Sequence, residues 1–320
     1  MTAMKRMTTV FREMLASPGI IHAPIAHDPL TAKIAERVGF RCLDLGGYAL
    51  GASSCVPEPL LSLEEVMIAT RRITAAVNIP LMVDGGAGFG DPTYVIRMIT
   101  EMERSGAAAV HIEDQVYPKR VHYHKGIEHV VSAEEMCEKI QYAARARRDP
   151  DFVIAARTDA MRTHDYAEGI RRAQLYVEAG ADMVMVFPNT AEEALQAPSE
   201  VEAPLIYVNS EGNRLGRPIL GLQELEAAGY KMVNDAISAI TVIYSSIYEL
   251  FSRMKETGRT GLDPAATIKA RKDIEDTMGL DEYYRIEAET VEARSVPLSA
   301  NGKRKFPELA DSTTTREIAK

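Results

Sequence analysis

Glu103-Arg-Ser-Gly-Ala-Ala-Ala-Val-His-Ile112 joins the charged end of a helix, a glycine and a short apolar strand within one segment. The glycine stands where a helix C-terminus needs positive φ, a conformation that a residue with a Cβ adopts only at a cost. The same joint recurs as Glu36-Arg-Val-Gly-Phe-Arg-Cys-Leu-Asp-Leu45, as Glu178-Ala-Gly-Ala-Asp-Met-Val-Met-Val186 and as Ala227-Ala-Gly-Tyr-Lys-Met-Val233. Filling the gaps between these joints predicts eight strands, near residues 20–27, 42–46, 80–84, 108–113, 152–157, 182–187, 204–209 and 231–235. Helical patterns lie between them near 29–39, 62–77, 92–106, 132–148, 165–179, 190–197 and 222–229. Strict alternation of short buried strands with amphipathic helices implies parallel pairing through right-handed crossovers, and eight such units close into a barrel. The predicted fold class is α/β, a (β/α)8 TIM barrel.

After the eighth strand, Ser238 through Lys255 reads as one long helix with Ile240, Ile243, Ile247 and Phe251 on its apolar face. A further helical stretch runs from Asp263 to about Ala293, with Tyr283, Tyr284 and Ile286 interrupting a charged surface. The expected organisation is a barrel with an N-terminal helix over 1–258, a C-terminal helical appendage for oligomerisation over 259–294, and a polar, loose tail over 295–320. The appendage is read as packing on a partner subunit, the alternative being a helix that lies on its own barrel.

The chain has 320 residues, 46% hydrophobic and 26% charged, which is ordinary for a soluble protein with a substantial core. Its net charge of -9 argues against a general nucleic-acid or anionic-membrane surface. No run approaches the roughly 20 apolar residues that cross a bilayer, and Met1-Thr-Ala-Met-Lys-Arg6 adjoins no apolar signal segment, so a cytoplasmic location is expected. Cys42, Cys55 and Cys137 have no paired spacing and indicate neither a disulfide framework nor a zinc knuckle.

Functional groups of such barrels gather at the carboxyl ends of the strands. Here those ends carry Gly46-Gly47, Asp84, Glu113-Asp114, Arg157-Thr-Asp159, Asn189, Asn209 and Asn234-Asp235. Asp84 and Glu113 come from neighbouring strands and can share a hard divalent cation, with Mg²⁺ or Mn²⁺ suiting all-oxygen ligation. The alternative is a structural network in which the acids pair with Arg157, Lys119 or Arg120. Arg157 suits a two-pronged grip on a carboxylate. The glycines of Gly46-Gly47 and of Gly85-Gly-Ala-Gly-Phe-Gly90 either bring backbone amides to an anionic oxygen or make tight turns. His111 shares a face with Glu113 and is expected to orient the site. His122 and His124, facing the same way if their segment is extended, form a metal pair, an acid/base pair or a solvated loop.

Val83-Asp84 with Gly88-Phe-Gly90, His111-Ile-Glu-Asp-Gln115 followed by Lys119-Arg120, Ala156-Arg-Thr-Asp-Ala160, Phe187-Pro188 and Asn209 together resemble the isocitrate lyase/phosphoenolpyruvate mutase superfamily, nearest to its methylisocitrate lyase-like branch. The resemblance implies helix exchange between subunits, a homotetramer built from dimers, and Mg²⁺-dependent handling of a pyruvate-like enolate. By position, Asp84 and Glu113 match metal-shell residues and Glu58 an acid that reaches the metal through water. Arg157 matches a substrate-carboxylate arginine, Gly46-Gly47 the amides around the 2-oxo acid, and Asn209 a polar residue lining the pocket. The chain departs from the family where its lyase loop reads Lys-Arg-Cys-Gly-His: here stands Lys119-Arg-Val-His-Tyr123, without the cysteine. Gly86, Asn189 and Leu45 replace a second acid, a glutamate and a serine.

These residues give the expected activity, a metal-dependent carbon–carbon lyase acting on a small 2-hydroxy di- or tricarboxylic acid of the methylisocitrate or 2-methylmalate type. Lys119, Arg120, His122, Tyr123 and His124 form its candidate catalytic loop, with His122, Tyr123 or His124 as the proton donor. Gly46, Gly47, His111, Arg157, Asn189 and Asn209 are its candidate substrate contacts. The competing expectations are a decarboxylase or hydrolase of an oxaloacetate-type 2-oxo acid and a silent protein that binds a small acid.

Overall fold

The computed structural model describes residues 5–213 and 216–292. Strands β1 (Ile21–Pro24), β2 (Leu43–Leu45), β3 (Leu81–Asp84), β4 (Ala109–Glu113), β5 (Val153–Arg157), β6 (Met183–Met185), β7 (Leu205–Asn209) and β8 (Met232–Asp235) form one parallel sheet in the order β1-β8-β7-β6-β5-β4-β3-β2. The two edges meet through a parallel bridge between Ile25 and Asp44, and the Ala26 N–H donates to the Asp44 carbonyl at 2.9 Å. The sheet is thereby the expected (β/α)8 barrel.

The helices are α1 (Met7–Ala16), α2 (Pro29–Val38), α3 (Gly47–Ser54), α4 (Leu63–Ala76), α5 (Pro92–Arg104), α6 (Ala133–Ala146), α7 (Ala160–Thr163), α8 (Tyr166–Glu178), α9 (Ala191–Gln196), α10 (Leu222–Ala228), α11 (Ser238–Thr257), α12 (Pro264–Met278) and α13 (Leu280–Glu289). Gly39 and Gly229, at φ 109° and 105°, end α2 and α10 as the repeated joints predict. Helix α3 has no counterpart in the sequence reading. Its segment Gly-Tyr-Ala-Leu-Gly-Ala-Ser-Ser is made mostly of small residues and offers no helical period.

The chain divides into two compact units between Ser252 and Arg253, inside α11. In the second unit the stretch expected to be helical from Asp263 onward is broken by Gly279 at φ 72°, which separates α12 from α13. The expected tail, 295–320, lies outside the described residues. No helix among the described residues is long and apolar enough to cross a membrane.

Side-chain parity along the strands decides what faces the barrel axis. Outward residues such as Leu43, Leu81, Val83, Val110, Ile112 and Ile154 pack in one cluster with Val66, Ile73, Met98 and Ile140 of the surrounding helices. Inward residues near the strand starts, Ile21, Met82, Val153, Met183 and Met232, pack with Phe11 and Met14 of α1, which therefore closes the amino-terminal mouth. Two residues further along the inward faces of β2, β3, β4 and β8, and four along that of β5, the apolar floor gives way to the polar set Asp44, Asp84, His111, Asn234 and Arg157. The floor fills the lower barrel and leaves the upper end open for chemistry.

Candidate active site

A cavity of about 640 Å³ opens at the carboxyl ends of the strands, within the range usual for small-molecule sites. Asp84, which ends β3, lies in register with His111 on β4, and Glu113 lies in register with Arg157 on β5. The paired acids of β4 therefore part company. Glu113 turns toward the axis, whereas Asp114 turns behind the strand. There Asp114 accepts from Thr158 Oγ1 at 2.8 Å, Tyr176 Oη at 2.9 Å, the Asp159 N–H at 2.9 Å and Arg172 at 3.2 Å. It is the hub that fixes β5 and α8 behind the site.

Lys119 provides the central cation. Its Nζ stands 2.5 Å from Glu58 and 2.8 Å from Glu113, and Arg157 reaches the other Glu113 oxygen at 3.2 Å. Arg157 is in turn held by Asp159 at 3.1 Å, and Gln115 donates to Asp159 at 2.6 Å. Burial alone would lower the Lys119 pKa, but Glu113 and Glu58 outweigh it and hold the ammonium charged. Burial raises Glu58, opposed by Lys119 and reinforced by Asp84 and Glu113, to about 7. Asp84 behaves oppositely: His111, Lys119, Arg157 and the Gly86 N–H overcome its burial and hold it at about 2. His111, with Asp44 at 3.8 Å and Asp84 at 3.7 Å, is pushed down mainly by burial and is neutral at pH 7.

Both alternatives for the acids thus meet in one geometry. The ion-pair network exists, yet neither oxygen of Glu113 receives an aligned hydrogen bond, and the oxygens are fully buried. Three carboxylates, Glu58, Asp84 and Glu113, surround one ammonium, and their mutual repulsion contributes to the high Glu58 value. An all-oxygen set with surplus negative charge and orphaned acceptors fits a hard divalent cation. Among the described residues no three His, Cys, Asp or Glu side chains converge for direct ligation, so water would complete such a shell.

The Gly47 N–H donates to Asp84 at 3.1 Å and begins α3, and a Cβ at Gly47 would lie 2.9 Å from Glu58. Glycine here brings the backbone against the acids. In the loop after β4, residues Val121–Lys125 form a 3-10 turn rather than an extended segment, so His122 and His124 do not share a face. Val121, Tyr123 and His124 line the cavity, whereas His122 and Arg120 are exposed and do not. The Tyr123 hydroxyl donates to Glu58, and Lys119 sits 4.0 Å above the Tyr123 ring. Asn189 and Asn209 also lie outside the cavity wall. Asn189 donates to the Met161 carbonyl at 2.8 Å, and the Asn209 amide is spent on the backbone of Leu220.

Four charged wall residues were not among the sequence candidates: Asp44, Glu128, Arg162 and Arg217. Parity would have found Asp44, which occupies the inward position of β2 and accepts a 2.5 Å hydrogen bond from Asn234, the strand end of β8 that the sequence does single out. Glu128, Arg162 and Arg217 come from loops and a short helix, where no period exists to read.

The phosphoenolpyruvate phosphomutase family model matches residues 11–255. A 2-methylisocitrate lyase from Aeropyrum pernix is 35% identical over 290 residues, spanning 89% of this chain and 92% of that protein. Among solved structures, a 2,3-dimethylmalate lyase superposes with a TM-score of 0.82 at 28% identity, covering 89% of this chain and 96% of the other. A phosphonopyruvate hydrolase in complex with oxalate and Mg²⁺ superposes with a TM-score of 0.80 at 30% identity, covering 90% and 100%. Barrel, strand-end acids and sequence similarity together place this chain in the phosphoenolpyruvate mutase/isocitrate lyase superfamily.

Proposed function

We propose that the protein is a divalent-metal-dependent lyase that cuts the C2–C3 bond of a small 2-hydroxy di- or tricarboxylic acid and releases a pyruvate-like 2-oxo acid. The observation that carries this reading is the Glu58–Lys119–Glu113–Arg157 array beside Asp84, with Tyr123 closing over it from the loop. Lyases of methylisocitrate and dimethylmalate among the similar proteins support the substrate class. Magnesium in the similar hydrolase supports the choice of metal.

Asp84 and Glu113 would hold Mg²⁺ or Mn²⁺, with Glu58 reaching it through water; the ion would supply a positive charge for the substrate's oxygens. Arg157, clamped by Asp159 and Glu113, grips the carboxylate beside the reacting carbon. Cleavage passes the proton of the 2-hydroxyl to ionised Glu58, breaks C2–C3, turns the C2–oxygen bond into a carbonyl and leaves the electron pair on C3. A proton must then reach C3. Tyr123 is suited to the task because its hydroxyl is held by Glu58, whose value of about 7 lets it take or return a proton near neutrality. It stands two residues from Val121, where the family's cysteine is replaced.

Val121 in the cavity wall also favours a second reading, cleavage of an oxaloacetate-type 2-oxo diacid that has no use for a loop thiol. Helix α11 has no buried residue and exposes Val242, Tyr244, Tyr248 and Phe251, which supports assembly with further copies of the chain. Incubating the protein and Mg²⁺ with branched malates and with oxaloacetate tests both activities. Release of 2-oxo acid from a branched malate supports the lyase. Loss of oxaloacetate alone transfers support to the second reading, and inertness toward every compound rejects both.

A further inference from the structure

Asp44 of β2 and Asp84 of β3 bring acids to the cavity, whereas the end of β5 and the segments after β5 and β7 bring three guanidinium groups, Arg157, Arg162 and Arg217, into its wall. Arg157, Arg162 and Arg217 surround a single ring there, with guanidinium carbons 4.6, 5.1 and 4.8 Å from the centroid of Phe187. Arg157 is answered by Glu113 and Asp159, and Arg162 by Glu128. Arg217 makes no ion pair among the described residues, and the more distant Asp159 only partly offsets its burial. It is 8% exposed, and its guanidinium donates to the Val208 carbonyl at 3.3 Å.

This placement is rigid. The Arg217 N–H donates to Asn213 Oδ1 at 2.8 Å, Asn213 returns a bond to the Arg217 carbonyl at 3.1 Å, and Tyr207 Oη donates to the Pro218 carbonyl at 2.7 Å. An almost buried guanidinium without a direct ion-pair partner is costly, and two like charges beside the same ring add to the cost. Burial and the neighbouring Arg217 push Arg162 down to about 10, the mark of a cationic surplus. A bound anion would relieve both.

We propose that Arg217, flanked by Arg162, is the seat of the substrate's second carboxylate and makes the site selective for diacids over monoacids. The inference deepens the lyase reading and rests on it for which end of the substrate is cut. The C3 electron pair left by cleavage lies next to that carboxylate, so Arg217 faces the group into which the charge spreads. Arg217 is a specificity-determining residue whose effect is read on binding, without turnover.

The test compares 2-methylsuccinate with 2-methylbutanoate, an uncleavable pair that differs only in the second carboxylate, by calorimetry on the Mg²⁺-loaded protein. The wild type should bind the diacid at least about tenfold tighter, as one charge-assisted two-pronged contact provides. Arg217→Met should bring the two affinities within about twofold by weakening the diacid alone, and Arg217→Lys should fall between because it keeps charge but not the fork. If Arg217→Met fails to fold, Arg217→Lys and the wild-type ratio decide. A wild-type ratio near one, a preference that survives both substitutions, or equal loss of both ligands overturns the proposal. Intact diacid preference with no 2-oxo acid released from any branched malate would remove the lyase reading and leave this subsite standing.

Discussion

Replacing Glu58 with glutamine should remove a pH dependence of stability that the native site imposes. The Glu58 carboxyl rises from an ordinary 4.5 to about 7, burial being the largest cause, with Lys119 opposing and Asp84 and Glu113 reinforcing. A carboxyl whose folded value lies above its unfolded value holds more protons in the folded state between the two, so its contribution to stability falls as pH rises through that window. The difference between 4.5 and about 7 corresponds to about 3 kcal/mol, and a side chain only 9% exposed leaves little room for solvent screening. Urea denaturation of wild type and Glu58→Gln in metal-free buffer, stepped from pH 4.5 to pH 8, measures it. The unfolding free energy of the variant minus that of the wild type should climb by about 3 kcal/mol across the range. Titrations common to both proteins, Asp44 included, cancel in that difference. A difference that stays flat would refute the claim that Glu58 is strained by its neighbours, and with it the proton-exchanging role given to the Glu58–Tyr123 pair.

Two further outcomes follow from the same geometry. Tyr123→Phe removes the hydroxyl that donates to Glu58 and should lower kcat by about 100-fold or more while leaving KM nearly unchanged; steady-state rates on the best branched malate decide, and an unchanged kcat would pass the proton donor's role elsewhere. Asp114→Asn breaks the buried pair with Arg172 and should cost about 3–5 kcal/mol in urea unfolding at unchanged m-value; a loss below about 1 kcal/mol would deny Asp114 its place as hub.

The barrel was readable because its cause is repetitive. Gly39, Gly106, Gly180 and Gly229 all have positive φ, and each precedes an inward-and-outward alternation that the next strand needs. Asp84, Glu113 and Arg157 were readable for the same reason: at the ends of β3, β4 and β5 they continue inward faces begun by Met82, Ala109 and Val153. Asp44 follows this rule but sits in a strand of three residues, too short for its alternation to stand out. Helix α3 escaped because packing, not amphipathic pattern, holds it. The pairing of His122 with His124 presumed an extended segment, and the 3-10 turn over Val121–Lys125 separates them. Arg217 was beyond sequence reasoning, since its inward aim comes from the clamp of Asn213 within a loop rather than from any periodic neighbour. Asn209 shows the converse: a polar strand end whose amide serves the backbone of Leu220.

The central claim is that Asp84 and Glu113, on adjacent staves, hold a divalent cation against a small organic acid. Titrating Mg²⁺ into the protein in the presence of oxalate tests it most directly. The account predicts one ion bound per chain in the wild type and binding sharply weakened in Asp84→Asn. No heat of binding with either Mg²⁺ or Mn²⁺, oxalate being present, would contradict it.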